Sequence, residues 1–454
     1  MTLEAPAAPI FRRLVTGSVR AGIEDLGDRP AMVVRSVSTV RRGALSVEDG
    51  ETIRVAAASA LTFRIPLVMV LASSGADVSD GVASLHGWGT AARAVTSCSG
   101  MVPVVVVVTG PALSGPALLL GLADLVVMTA DAFAFVSGPA MVEEFTGVRI
   151  GIHQLGGTAM HARSSGLCAI ESASEEDAMA HVEHLLSLLP ANADELAPLG
   201  PPDGSTREER VPGALREIIP SRATSSYDVR RVAAELADNQ DVTELWTRWS
   251  PQLVTALGRI GGRSVGFVAN QPQALAGTLD IAASQKGARF VRFCDSFNLP
   301  LVTLVDTPGF LPGKDLEWRG MIRHGAELAF AYSEATVPRV CVILRKAFGG
   351  AYIVMDSKGL GNDLCFAWPG AEIAVMGAEG AVQILHRTAG SDEQETLRDE
   401  YAKRFLTPWE ASERGFVDAV IDPDDTREVV ADALRTLDTA REYLPGRKHT
   451  VGPL

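Results

Sequence analysis

The chain has 454 residues, 47% of them apolar and 21% charged, with a formal net charge of −14 at pH 7. That length and apolar content suffice for a large core, and the acidic balance excludes a nucleic-acid surface, which needs clustered Lys and Arg. Five cysteines (Cys98, Cys168, Cys294, Cys341 and Cys365) without a CxxC pair, and eight histidines without ligand spacing, exclude a disulfide framework and a zinc ribbon and give no expectation of a metal site.

Taken in order, the chain predicts a strand at 31–37, a helix at 49–62 and a continuous apolar strand at 66–71, buried on both faces. The greasiest run, 101–122, approaches the length of a membrane span, but Gly110, Pro111, Gly115 and Pro116 interrupt it. It reads as a buried strand at 102–108, a small-residue turn and a helix, so no membrane role is expected. From 189 to 225 the composition shifts to Pro, Gly and charge, as in Pro190-Ala191-Asn192-Ala193-Asp194 and Gly200-Pro201-Pro202-Asp203-Gly204, the mark of a surface linker. A strand at 265–270 then matches the early one at 31–37. The segment 393–443 alternates charged and apolar positions at helical spacing (Leu397, Tyr401, Phe405, Val429, Val430, Leu434, Leu437), which predicts a helical tail packed on a domain or a neighbouring subunit. The start of the chain, Met1-Thr2-Leu3-Glu4-Ala5-Pro6, lacks a basic start and apolar core, so the expected location is the cytoplasm.

One pattern occurs twice, about 235 residues apart. Its first copy runs from the 102–108 strand into Gly110-Pro111-Ala112-Leu113-Ser114-Gly115-Pro116-Ala117, and its second from Arg339-Val340-Cys341-Val342-Ile343-Leu344 into Lys346-Ala347-Phe348-Gly349-Gly350-Ala351-Tyr352. Ser73-Ser74-Gly75-Ala76 precedes the first turn as Asp306-Thr307-Pro308-Gly309-Phe310 precedes the second. Downstream, Ala132-Phe133-Ala134-Phe135-Val136-Ser137-Gly138 corresponds to Glu372-Ile373-Ala374-Val375-Met376-Gly377-Ala378. The duplication predicts an α/β fold in two domains, 1–225 and 226–454, each strands alternating with helices.

A Gly- and Ala-rich turn between a buried strand and a helix exposes backbone N–H groups at the positive end of the helix dipole. Such a turn holds developing negative charge, as the enolate of a thioester requires. The same glycines also serve tight helix-to-sheet packing without any chemistry. HExxH and GxxxxGK[ST] are absent. His324 lies in a basic patch, Arg319-Gly320-Met321-Ile322-Arg323-His324-Gly325, suited to a CoA phosphate or to a helix end.

At these residues the sequence resembles the carboxyltransferase (β) subunit of biotin-dependent acyl-CoA carboxylases of the propionyl-CoA carboxylase type. The likeness is carried by Lys286-Gly287-Ala288-Arg289-Phe290-Val291-Arg292-Phe293-Cys294-Asp295, Pro308-Gly309-Phe310-Leu311-Pro312-Gly313, Arg345-Lys346-Ala347-Phe348-Gly349-Gly350-Ala351-Tyr352, Ala367-Trp368-Pro369 and Glu413-Arg414-Gly415-Phe416-Val417-Asp418, and it covers roughly residues 30–454. The resemblance implies two tandem crotonase-like ββα superhelical domains, the first holding acyl-CoA and the second receiving biotin, in a homo-hexamer. It implies transfer of CO2 from carboxybiotin to the α-carbon of a short acyl-CoA of propionyl or acetyl type. Biotin would arrive on a separate carrier, with a biotin carboxylase as partner, since no Met-Lys-Met biotinylation site is present. The implied oxyanion pairs are Ser114 with Gly115 and Gly350 with Ala351. Ser74, Gly75, Ala76, Gly349, Tyr352 and Ile353 would line the substrates, with Ile353 bearing on acyl choice.

The first half departs from the family pattern. Ser114-Gly115-Pro116 stands where Gly-Gly-Ala is usual, Asp77 where an arginine is usual, and Arg42-Gly43-Ala44-Leu45-Ser46 where Gly-Gly-Ser-Leu-Gly is usual. Two further readings therefore stand beside the first: a biotin-independent decarboxylase of malonyl-type thioesters, and a non-catalytic paralogue within a carboxylase complex.

Overall fold

The computed structural model describes residues 12–13, 17–200, 213–220, 222, 225–438 and 440–453. Two compact units, Met1–Pro198 and Leu199–Leu454, divide the chain. In the first, β1 (Arg12–Arg13), β2 (Val19–Leu26), β3 (Arg29–Ser36), β4 (Leu67–Ser73), β5 (Val104–Leu113), β6 (Leu125–Thr129) and β8 (Ile170–Ser172) form the sheet in that order, with β7 (Phe133–Phe135) pairing β5. In the second, β9 (Val242–Leu245), β10 (Leu253–Ile260), β11 (Arg263–Asn270), β12 (Leu301–Thr307), β13 (Arg339–Phe348), β14 (Leu364–Ala367) and β16 (Ala419–Val420) repeat the order, with β15 (Glu372–Ala374) pairing β13. The first three strands of each sheet pair antiparallel and the rest parallel.

The duplication extends to an irregularity. Between Leu71↔Val108 and Ser73↔Ala112 one residue of β4 stands against three of β5, and between Val305↔Ile343 and Thr307↔Ala347 one residue of β12 stands against three of β13. A bulge of this kind bends the strand and re-aims the residues beyond it.

Alternate residues of β3, β4 and β5 (Met32, Val34, Leu67, Met69, Val104, Val106) pack with Ile53, Ala57 and Val95 in the first core. Two helices cover it, Val47–Phe63 and Val82–Cys98. Ser46 starts the former with a capping box to Asp49. A Cβ on Gly50 would fall 2.1 Å from the carbonyl oxygen of Gly87, so the two backbones meet at glycines. The helix Ile281–Ser296 holds the matching place in the second unit, capped by Asp280, which accepts from the Ala283 N–H.

Three expectations change. The boundary lies between Pro198 and Leu199 rather than at 225, because the helix Ala214–Ile218 sends Leu215 and Ile218 into the second core. Of the expected linker, residues 201–212, 221, 223 and 224 lie outside the described residues. The run after β5 is a 3-10 helix, Gly115–Leu122. The tail is three helices, Ser391–Phe405, Pro408–Glu413 and Thr426–Thr436, with β16 joining the sheet between the last two. Pro408 and Pro423 enforce the breaks. The last helix packs Val430, Ala433 and Leu434 into the second core and the middle one buries Pro408 and Ala411, whereas Leu397, Tyr401 and Phe405 are not buried.

Candidate active site

After β4 the chain passes through Ser74-Gly75-Ala76, with Gly75 at φ +108°. Leu45 N–H donates to the Gly75 carbonyl at 2.8 Å, and Asp77 N–H donates to the Leu45 carbonyl at 2.8 Å. This parallel bridge puts the N–H of Ala76 on the opposite edge of the loop. Because the sheet runs β3, β4, β5, that edge faces the end of β5. There Ser114, at φ +63° and ψ −151°, turns the chain into the 3-10 helix. A Cβ on Gly75 would lie 3.3 Å from the Ser114 Cβ, so the two loops touch.

The second unit repeats the construction. Leu279 N–H donates to the Gly309 carbonyl at 3.2 Å and Leu311 N–H to the Leu279 carbonyl at 2.8 Å, which leaves the Phe310 N–H facing the end of β13. Gly309 has φ +145° and Gly349 φ +60°. The helix Gly349–Val354 comes next, and a Cβ on Gly350 would lie 3.5 Å from the Phe310 ring.

The strand registers align the two turns residue by residue. Leu113 pairs with Phe135 and Phe348 with Ala374, so Ser114 matches Gly349, Gly115 matches Gly350, and Pro116 matches Ala351. Under this alignment the implied pairs, Ser114 with Gly115 and Gly350 with Ala351, sit one position apart in the two turns. The Ser114 N–H donates to the Phe135 carbonyl at 3.0 Å and is therefore spent. Ala351 is 0% exposed, whereas Gly350 lies at the surface. Gly115 and Gly350, at helix starts, lack intrahelical acceptors. In the second unit Gly350 lies against Phe310, and in the first the loop that carries Ala76 meets Ser114, next to Gly115. Pro116, the residue that matches Ala351, carries no N–H, and proline is well suited to the first turn of a helix.

Reading the sequence alone missed Phe310. Its signal was there, since Phe310 stands 234 positions after Ala76. Tyr352 is buried, and burial beside Cys365 and Cys341 pushes its hydroxyl pKa up, which sets the ring against the sheet. Ile353 is exposed, as is its counterpart Leu118. Ser74 is exposed and donates its N–H to the Arg42 carbonyl at 3.2 Å.

Charges near the loops are mostly internal to the fold. Asp77, the acid in place of the family's arginine, pairs with Arg41 at 2.5 Å and accepts from the Ser79 hydroxyl and N–H, which hold its carboxyl below the usual range. His324 Nδ1 contacts Glu327 at 2.7 Å and Gln285 at 3.1 Å, so the helix Met321–Glu334 uses that ring internally. Asp306 is 1% exposed and accepts from Arg345 Nε at 3.0 Å and from the Lys346 N–H at 3.1 Å. Burial raises its carboxyl pKa, and Arg345 opposes the rise. Among the described residues no cluster of three or more His, Cys, Asp or Glu is placed to hold a metal ion, and no helix is long and apolar enough to cross a membrane.

Each unit thus places a loop after its fourth strand beside the turn that ends its fifth, and backbone N–H groups at such a junction are able to stabilise an oxygen on which charge accumulates. Comparison with known proteins agrees in fold and family. Residues 5–451 match the carboxyl transferase domain. The carboxyltransferase subunit of propionyl-CoA carboxylase from Haloferax mediterranei is 42% identical over 449 residues, which span 97% of this chain and 87% of that one. The methylmalonyl-CoA decarboxylase subunit alpha of Veillonella parvula is 40% identical over 418 residues, 92% of this chain and 81% of that one. The transcarboxylase 12S hexamer structure with methylmalonyl-coenzyme A and methylmalonic acid bound superposes with a TM-score of 0.93 at 40% identity, covering 96% of this chain and 85% of that one. Two tandem crotonase-like units and this likeness along nearly the whole length make the chain an enzyme of the carboxyl transferase domain family, similar to the β subunits of propionyl-CoA carboxylases.

Proposed function

We propose that the chain is the carboxyltransferase of a biotin-dependent short acyl-CoA carboxylase and works as a homo-hexamer. A biotin carboxylase and a biotin carrier protein are its partners. The observation that carries the reading is the pair of equivalent donor sites, Ala76 with Gly115 and Phe310 with Gly350, at matching registers of two copies of one fold. Gly115 and Ala76 hold the thioester oxygen of propionyl- or acetyl-CoA while the α-carbon gives up its proton, for which the biotin ureido nitrogen freed by loss of CO2 would be the acceptor, and the enolate forms. Gly350 and Phe310, with a flat aromatic ring beside the exposed glycine, suit the ureido oxygen of biotin. Biotin supplies the activated carboxylate when its carrier docks. Ser74, Gly75 and Gly349 shape the two loops, and Ile353, exposed on the helix after the second turn, bears on the choice of acyl chain.

A second reading, decarboxylation of a malonyl-type thioester without biotin, is favoured by one finding, the likeness to the Veillonella parvula decarboxylase subunit. The enolate site of the first unit would serve it equally. Incubation of the purified protein with malonyl-CoA and methylmalonyl-CoA, with and without free biotin, separates the two. Release of CO2 that requires biotin, with carboxylated biotin detected by mass, is the expected result. Equal release without biotin moves the assignment to the decarboxylase, and no reaction under either condition refutes both in favour of a non-catalytic subunit.

A further inference from the structure

The shared bulge is held open by different chemistry in the two units. In the second, Lys346 lies within the bulge and its N–H has lost a strand partner, as buried backbone donors rarely do without compensation. Asp306 compensates: one carboxylate oxygen accepts from the Lys346 N–H at 3.1 Å and the other from Arg345 Nε at 3.0 Å. Arg345 also donates to the Ser225 carbonyl at 2.7 Å, and its guanidinium lies 5.1 Å from the centre of the Tyr227 ring. Asp306 N–H donates to Asn270 Oδ1 at 3.2 Å, and Asn270 Nδ2 donates to the Gly277 carbonyl at 3.2 Å.

In the first unit the matching positions are Ala72, Gly110 and Pro111, in place of Asp306, Arg345 and Lys346. Pro111 has no N–H to satisfy. A Cβ on Gly110 would lie 3.2 Å from the Ala72 Cβ, so the space that Asp306 and Arg345 fill in the second unit is closed in the first. One bulge needs no acceptor, and the other carries a buried ion pair as its acceptor.

We infer that Asp306 and Arg345 are positioning residues: they lock the bulge of β12 and β13 and so aim the two loops that carry the Phe310 and Gly350 amides. Phe310 lies four residues after Asp306 and Gly350 five after Arg345, so a shift at the bulge reaches both donors together. The link to catalysis rests on the proposed role of these amides. The link to loop geometry does not.

The test uses the full chain with Asp306→Asn, Arg345→Met and the triple change Asp306→Ala, Arg345→Gly, Lys346→Pro, which copies the first unit's solution. Amide hydrogen exchange is read over 307–316 and 345–355, with 73–82 and 110–120 as internal references. Faster exchange in the two second-unit segments of the single variants, with the first-unit segments unchanged and exchange restored in the triple variant, is the expected pattern. In biotin-dependent decarboxylation of methylmalonyl-CoA, each single variant should lose about 10- to 100-fold in kcat, with KM for the thioester within about twofold of the parent. The triple variant should recover most of the loss. Unchanged exchange and turnover in a folded Asp306→Asn protein overturns the inference. Changed exchange in the single variants of a parent protein that shows no biotin-dependent turnover keeps the positioning role and removes the functional reading on which its catalytic consequence depends.

Discussion

At the scale of single residues, the proposed site depends on backbone N–H groups, so the informative substitutions alter the main chain. Gly350→Pro deletes one donor at a position where proline suits the first helical turn, and turnover should fall about 100- to 1000-fold. Gly350→Ala keeps the N–H, and its Cβ meets the Phe310 ring at an ordinary 3.5 Å, so it should stay within a few-fold of the parent. Equal loss in both variants would assign the effect to crowding instead of the lost donor. Pro116→Ala makes the opposite test. Since the matching Ala351 is fully buried, restoring an N–H at 116 should change turnover by less than about threefold, and a tenfold gain would place that amide in the site. The two turns, the left-handed glycines and the duplicated order were legible as spacing in the sequence. Which N–H groups are spent was not, because the bond from Ser114 to the Phe135 carbonyl is set by the pairing of β5 with β7.

At the scale of elements, the helix Ile281–Ser296 carries a buried lysine that the sequence presents only as part of a family motif. Lys286 is 0% exposed, and its Nζ donates to the carbonyls of Trp246 at 2.9 Å and Trp249 at 3.0 Å. It clamps a turn in which Trp246 and Ser250 both have positive φ. Burial pulls its ammonium down to about 7. Between that value and the ordinary 10.5 the unfolded chain binds the extra proton, so folded-state stability gained from Lys286 is complete above 10.5 and is lost as pH falls through about 7. Lys286→Met leaves both carbonyls without their donor, a cost of about 1–3 kcal/mol. The gap in melting temperature between parent and variant should therefore widen from pH 7 to pH 9; a gap that narrows would show the lysine to be charged in the folded state. The strands at 31–37, 66–71 and 265–270 were readable from their apolar runs. The helical tail was read as one piece because its charge alternation hides the two-residue strand Ala419–Val420, which exists only through pairing with β14.

For the whole molecule, the repeat is the dominant fact, and it extends to pair-by-pair strand order. Large apolar side chains stay exposed on both units, among them Val78, Val82 and Phe145 on the first and Trp318 and Ile322 on the second. Surfaces of that kind mark contacts with other chains. Sedimentation equilibrium should accordingly give six copies of the 48.0 kDa chain, and a monomer at micromolar concentration would remove the hexamer from the functional proposal. The matched bulges bear on how this protein arose and how it could be rebuilt. Since the same one-against-three mismatch and the same left-handed turn position occur in both copies, the simplest history has them in the single-domain ancestor, with Ala72, Gly110 and Pro111 or Asp306, Arg345 and Lys346 arising by later divergence. Strand, bulge and turn then behave as an interchangeable cassette, and a chimaera with 109–118 grafted over 344–353, together with Ala72 at 306, would exchange chemistry between halves without redrawing either sheet.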